Sequence, residues 1–125
     1  MTIVELITVG LSESANEKLD ALKELGYFAE KIDGYRFAVS LALAQGVIPP
    51  EISKRTTFVN VGSLDPDQLF RSAVEALMPD HLSETTAYRL IERLADWGVN
   101  DLYAQSQTSG AIDFARLLEH TGSEG

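Results

Sequence analysis

The chain opens on a run of alternating positions. Residues 3–11 read as extended, and from Ile7 the alternation is clean: Ile7, Val9 and Leu11 share one face, Thr8 and Gly10 the other. Period-two alternation marks a half-buried strand. No adjacent segment supplies a hairpin partner, since the next plausible strand, Thr56 to Val61, lies about fifty residues on. The period then becomes helical. A first helix is predicted from Ser12 or Ser14, because Ser14 and Glu17 have capping-box spacing. Ala15, Leu19, Leu22 and Leu25 face inward, and Gly26 stops it by tolerating the left-handed conformation past a helix end. After a connection over Tyr27 to Lys31, Asp33 is the expected N-cap of a second helix reaching Ala44 and closed by Gly46. That helix is apolar nearly all round, a pattern that requires burial on most sides.

Residues 46–57 read as a linker broken by Gly46, Pro49 and Pro50. Asn60, Gly62 and Ser63 mark a turn. Asp65, Pro66 and Gln68 then announce a third helix, with Asp65 as N-cap and Pro66 at its first position, running to about Leu77. Its inner positions are Leu69, Phe70, Ala73, Val74 and Leu77. A fourth helix opens at Ser83 to Thr86, turns Tyr88, Ile91, Leu94, Ala95 and Trp97 inward, and stops at Gly98. A fifth is predicted over Val99 to Gln105. After a break at Thr108 to Gly110, a last short helix covers Ile112 to Leu118.

Composition narrows the function classes. Apolar residues make up 45% of 125, enough for a core in one ordinary domain. Without cysteine there are no disulfides and no thiolate metal ligands. The start, Met-Thr-Ile-Val-Glu-Leu, carries no basic leader, so a signal peptide is not expected. The longest apolar stretch, Phe37 to Ala44, is too short to span a bilayer. A cytoplasmic protein with no membrane association is expected. Net charge is −9. Four basic and seven acidic residues give −3 over residues 1–50, while four arginines and eleven acids give −7 over residues 58–125. Only Lys54 and Arg55 make a locally cationic segment. Phosphate binding rests on Lys and Arg, so this distribution argues against tight nucleic-acid binding unless the few cations share a face.

No constellation of side chains rises to a catalytic or metal site, and neither an enzyme nor a cofactor is expected. His81 and His120 have no partner at ligand spacing. Asp65 and Asp67 read as a cap and a first-turn acid rather than a catalytic pair. Asn60 to Ser63 lacks the lysine and glycine density of a phosphate loop. Arg89 and Arg93, four apart, form either a phosphate-facing pair or a solvated face paired with Glu92. Tyr27, Phe28, Tyr35 and Phe37 could stack nucleobases, but beside an apolar helix they read first as core or interface anchors.

The strand "ITVGLS", the capped helix "ESANEKLDALKEL", a "GY" turn and a more apolar second helix resemble the ribbon-helix-helix regulators over residues 6–46. That resemblance implies a homodimer whose strands pair into an antiparallel ribbon. The outward strand positions, Leu6, Thr8 and Gly10, depart from the polar or basic side chains with which that family reads a groove. More of the chain, through "YRFAVSLALAQGVIPPE", "TTFVNVG" and "RLADWGVNDL", is similar to the small E component of bacterial DNA phosphorothioation (Dnd) systems. This second resemblance implies self-assembly and binding to nicked duplex DNA through surface lysines.

The expected fold is mainly α: an N-terminal β-strand plus two helices over residues 1–46, a linker and short extended segment over 47–62, and a three-helix part over 63–120, all in one domain. Pairing of two copies is expected through Ile7, Val9, Leu11, Phe37, Val39, Leu41 and Leu43, because an unpaired strand leaves open N–H and C=O groups. Two functions follow. In the first, a non-enzymatic, self-associating protein associates with DNA through Lys54, Arg55, Lys31, Arg36 and Thr8. In the second, an adaptor or assembly subunit offers an acidic helical surface to a basic protein partner.

Overall fold

A computed structural model describes residues 8–109. In chain order they form β1 (Thr8–Ser12), α1 (Glu13–Glu24), α2 (Lys31–Ala44), β2 (Arg55–Asn60), α3 (Val61–Leu64), α4 (Leu69–Leu77), a 3-10 turn (Pro79–Ser83) and α5 (Ala87–Ser109). The described part is mainly helical with one two-stranded antiparallel sheet. Ile7 and the predicted helix over residues 112–118 lie outside it.

Local signals account for most helix ends. Ser12, not Ser14, caps α1 and accepts the Ala15 N–H at 3.2 Å. Both α1 and α2 end in the paired hydrogen bonds of a Schellman motif: Tyr27 N–H to the Leu22 carbonyl with Gly26 to Lys23, and Val47 to Ala42 with Gly46 to Leu43. Gly26 and Gly46 supply the positive φ, 92° and 66°, that these turns require. Helix α2 starts earlier than Asp33 predicts, at Lys31, with Glu30 as an N-cap that makes no side-chain bond. Asp65 caps at a distance. Its carboxylate accepts the Phe70 and Arg71 N–H groups at 3.0 and 3.1 Å, while α4 itself begins only at Leu69. The residues after Asn60, predicted as a turn, wind into α3, because the Asn60 side chain accepts the Ser63 N–H at 3.0 Å.

Strand β1 finds its partner in the same chain. It pairs antiparallel with β2 in a register from Thr8 opposite Asn60 to Ser12 opposite Arg55, with a bulge between Val9 and Gly10. The linker between α2 and β2 is what returns the chain to β1. At Gly10 an added Cβ would stand 2.0 Å from the Thr56 carbonyl oxygen, so only glycine allows the two backbones this close.

The other edge of β1 is closed by side chains. Gly10 N–H donates to Glu92 Oε2 and Ser12 N–H to Asp96 Oδ2, each at 2.7 Å, while the Gly10 carbonyl accepts the Tyr35 hydroxyl at 2.9 Å. The spacings match. Two strand residues advance about 6.6 Å, and four helical residues about 6.0 Å. Carboxylates four apart on α5 therefore meet alternate N–H groups of a strand lying along it. The need for pairing that pointed to a second copy is met within one chain. Val9, Leu11 and Val39 are fully buried in this chain's own core and Leu41 nearly so, together with Leu19, Leu22, Ile91, Leu94 and Leu102, while Phe37 and Leu43 are partly buried against it.

Helix α5 corrects the prediction of two helices divided at Gly98. It runs unbroken through that residue, and a Cβ there would lie 2.3 Å from the Ala38 carbonyl oxygen of α2. Gly98 is thus a crossing point where two helix backbones touch, not a C-terminal stop. Among the described residues no helix is long and apolar enough to cross a membrane. We expect Gly98→Ala to force α2 and α5 apart and cost about 1–3 kcal/mol, the usual range for overpacking. Gly62→Ala, whose Cβ would meet only its neighbouring Asn60 side chain at 3.5 Å, serves as the control in the same urea titration.

Candidate functional site: engaged cations and an apolar groove

The fate of the cations separates the two expected functions. Lys31 lies 3.0 Å from Asp20 Oδ1, donates to Asn16 Oδ1 at 2.6 Å, and rests its ammonium 5.0 Å above the Phe58 ring. Arg36 donates to the Leu64 and Ser63 carbonyls at 3.1 and 2.7 Å, which ties the end of α3 to α2, and reaches Asp33 at 4.0 Å. Arg55 sits 3.3 Å from the buried Glu92 carboxylate. Thr8 is a partly buried sheet residue opposite Asn60. Of the side chains expected to touch phosphate, only Lys54 is exposed with no hydrogen bond or ion pair to a described residue. Lys18 is also occupied, donating to Asn100 at 2.6 Å over the Tyr103 ring.

Glu92 organises one cluster of charges. Its side chain is fully buried, and Arg55 and Arg89 approach it to 3.3 and 3.8 Å. Removal from water pushes its carboxyl above the ordinary carboxylate range, opposed by the Gly10 N–H and by Arg55, Arg89 and Arg93. The Tyr35 hydroxyl is likewise held well above its usual range, by burial first and then by the nearby Glu92 and Asp96 charges. Among the described residues, neither Glu92 Oε1 nor Arg93 Nε has a hydrogen-bond partner. This cluster closes a strand edge and anchors β2. Among the described residues, no group of three or more His, Asp or Glu is placed to hold a metal.

The aromatic residues sort in the same way. Tyr35 is buried and stacks on Phe58 with centroids 5.4 Å apart, and Phe28 meets Phe37 at 6.0 Å. Arg89 and Arg93 flank Glu92 rather than standing as a free pair.

The feature that sequence reasoning missed is apolar. Where α2 ends, α4 ends and the 3-10 turn begins, a cavity of about 310 Å³ is lined by Leu43, Val47, Ile48, Leu77, Met78 and His81. Ile48 and Leu77 stand 73% and 64% exposed, and Leu69, at the start of α4, 69%. Exposed aliphatic side chains gathered around a concave surface mark interaction sites more often than scattered ones do. A signal existed in Val47-Ile48-Pro49-Pro50, an apolar pair in a linker; Leu69 and Leu77, which the helical spacing places inward, are instead exposed, and of α4 Val74 alone is fully buried.

Searches against family models, curated proteins and solved structures each return no match.

The charge cluster makes a testable statement about stability. Glu92→Ala leaves the Gly10 N–H unpaired and Arg55 without its counter-charge, and breaking such a buried pair costs about 3–5 kcal/mol. In Glu92→Gln the amide still accepts from Gly10. Because the folded-state pKa of Glu92 is raised, the folded chain holds this proton more tightly than the unfolded chain. Its contribution is fully present below the ordinary glutamate range and is lost as pH rises through the raised value. The stability of the wild type relative to Glu92→Gln should therefore fall over that interval. Urea titrations of both proteins at stepped pH measure it, and parallel curves would refute the assignment.

Proposed function

We propose that this protein is a non-enzymatic binding subunit, an acidic adaptor for a basic protein partner, rather than a DNA-associated protein. One observation carries the reading: of the four cations that would have contacted phosphate, all but the exposed Lys54 are held by the chain's own acids and carbonyls. Lys31, Arg36 and Arg55 each satisfy an internal acceptor. Recruiting them to DNA would uncover Glu92, Asp20 and the end of α3. Meanwhile the chain keeps nine negative charges in excess. A surface of one sign attracts partners of the opposite sign and repels duplexes.

The adaptor reading predicts no retardation of duplex, nicked or single-stranded DNA in an electrophoretic shift assay at low salt with protein at about ten micromolar, a concentration inside the range at which ordinary non-specific binders engage DNA. Retardation that fades steeply with salt and is lost in the Lys54→Gln, Arg55→Gln double variant would instead restore the DNA reading.

A further inference from the structure

Resting on the adaptor reading, we infer that the groove between the ends of α2 and α4 is the docking site, and that its occupant is an amphipathic helix of a partner protein with lysine or arginine flanking an apolar stripe. The groove fits side chains better than a small molecule. Its volume, about 310 Å³, is at the low end of ligand cavities, which also carry several placed polar groups to orient what they bind. Among the described residues, His81 is the one titratable side chain in the lining, its Nδ1 buried without a hydrogen-bond partner there. Ile48 and Leu77 extend the apolar surface beyond the cavity. A row of aliphatic side chains at helical spacing, laid along a groove, matches such a surface.

Charge selects among occupants. Of the charged residues bordering the two lining segments, Arg36, Arg55, Arg71 and Arg89 are engaged by internal acceptors, which leaves Lys54 against the acids Glu51, Asp80 and Glu84. Glu51, Asp80 and Glu84 are exposed, and Glu75 is paired with Arg71 at 3.3 Å. An apolar depression whose lining segments carry exposed acids close by in the chain attracts a helix with basic flanks. A second copy of this chain would bring another net charge of −9 to it.

The probe is a labelled 18-residue peptide with leucine at i, i+3, i+4 and i+7 and lysine elsewhere, measured by fluorescence anisotropy against the full chain. A shuffled peptide of the same composition and a leucine–glutamate counterpart are run alongside. The expected result is saturable binding of the leucine–lysine helix alone, weakened at least about tenfold in the Ile48→Ser, Leu77→Ser double variant, as when interface anchors are truncated. Both positions are largely exposed, so an unchanged thermal unfolding curve will show that the variant is folded. Equal binding of the shuffled peptide, insensitive to the double variant, overturns the groove while leaving an acidic adaptor standing. Absence of binding by either peptide overturns the groove too, and DNA retardation in the assay above overturns the adaptor itself. A dimer in light scattering that the double variant dissociates shows the groove to be covered by a second copy, which also overturns the proposal.

Discussion

The contact between the buried Glu92 carboxylate and the Gly10 N–H holds the rest of the structure in place. A two-stranded sheet has two open edges, and an open edge invites another chain to pair with it. Here α5 closes one of them with Glu92 and Asp96, each accepting one N–H of β1 at 2.7 Å. Tyr35 from α2 satisfies the Gly10 carbonyl. Three elements distant in sequence thus converge on a single strand residue, and its lack of a side chain admits β2 on the opposite edge.

Burying that carboxylate has consequences. Taking an acid out of water is unfavourable unless its oxygens are hydrogen-bonded and a counter-charge stands near. Arg55 is that counter-charge, which fixes the start of β2 and withdraws the guanidinium from solvent. Lys31 and Arg36, both in the first half of α2, are also held by internal acceptors. Scarce cations used as internal ties leave an acidic surface, so the charge economy of the core sets the electrostatic character of the exterior.

The crossing of α2 and α5 shows the same dependence of one level on another. Ala38 and Gly98 are small, so the two backbones touch, and this closeness lets the Tyr35 hydroxyl and the Glu92 carboxylate reach the same strand residue. A bulkier residue at either position would separate the helices. At the far end of α2 the Schellman turn at Gly46 leaves Val47 half-buried against the core and Ile48 exposed, and the apolar groove they line with Leu77 and Met78 forms there.

The sequence by itself determined the local elements. Alternation at Val9 to Leu11, capping by Ser12, glycine stops at Gly26 and Gly46, and the helix-starting carboxylate of Asp65 all act within a few residues, so their physics is legible in a linear pattern. It also determined that α2 must be covered on most sides. Only the tertiary structure decided by what. The partner of β1 is β2, across a linker that composition marks as irregular. Gly98 reads as a stop in one dimension and is a contact in three, because the carbonyl that excludes a Cβ belongs to Ala38. Glu92 looks like part of a solvated helical face with Arg89 and Arg93. Its position between Tyr88, Ala95 and Val99 at helical spacing hinted at burial, but the N–H that justifies a buried charge lies on a strand more than eighty residues away. The groove was hidden for the same reason, since its walls come from separate segments that only packing brings together.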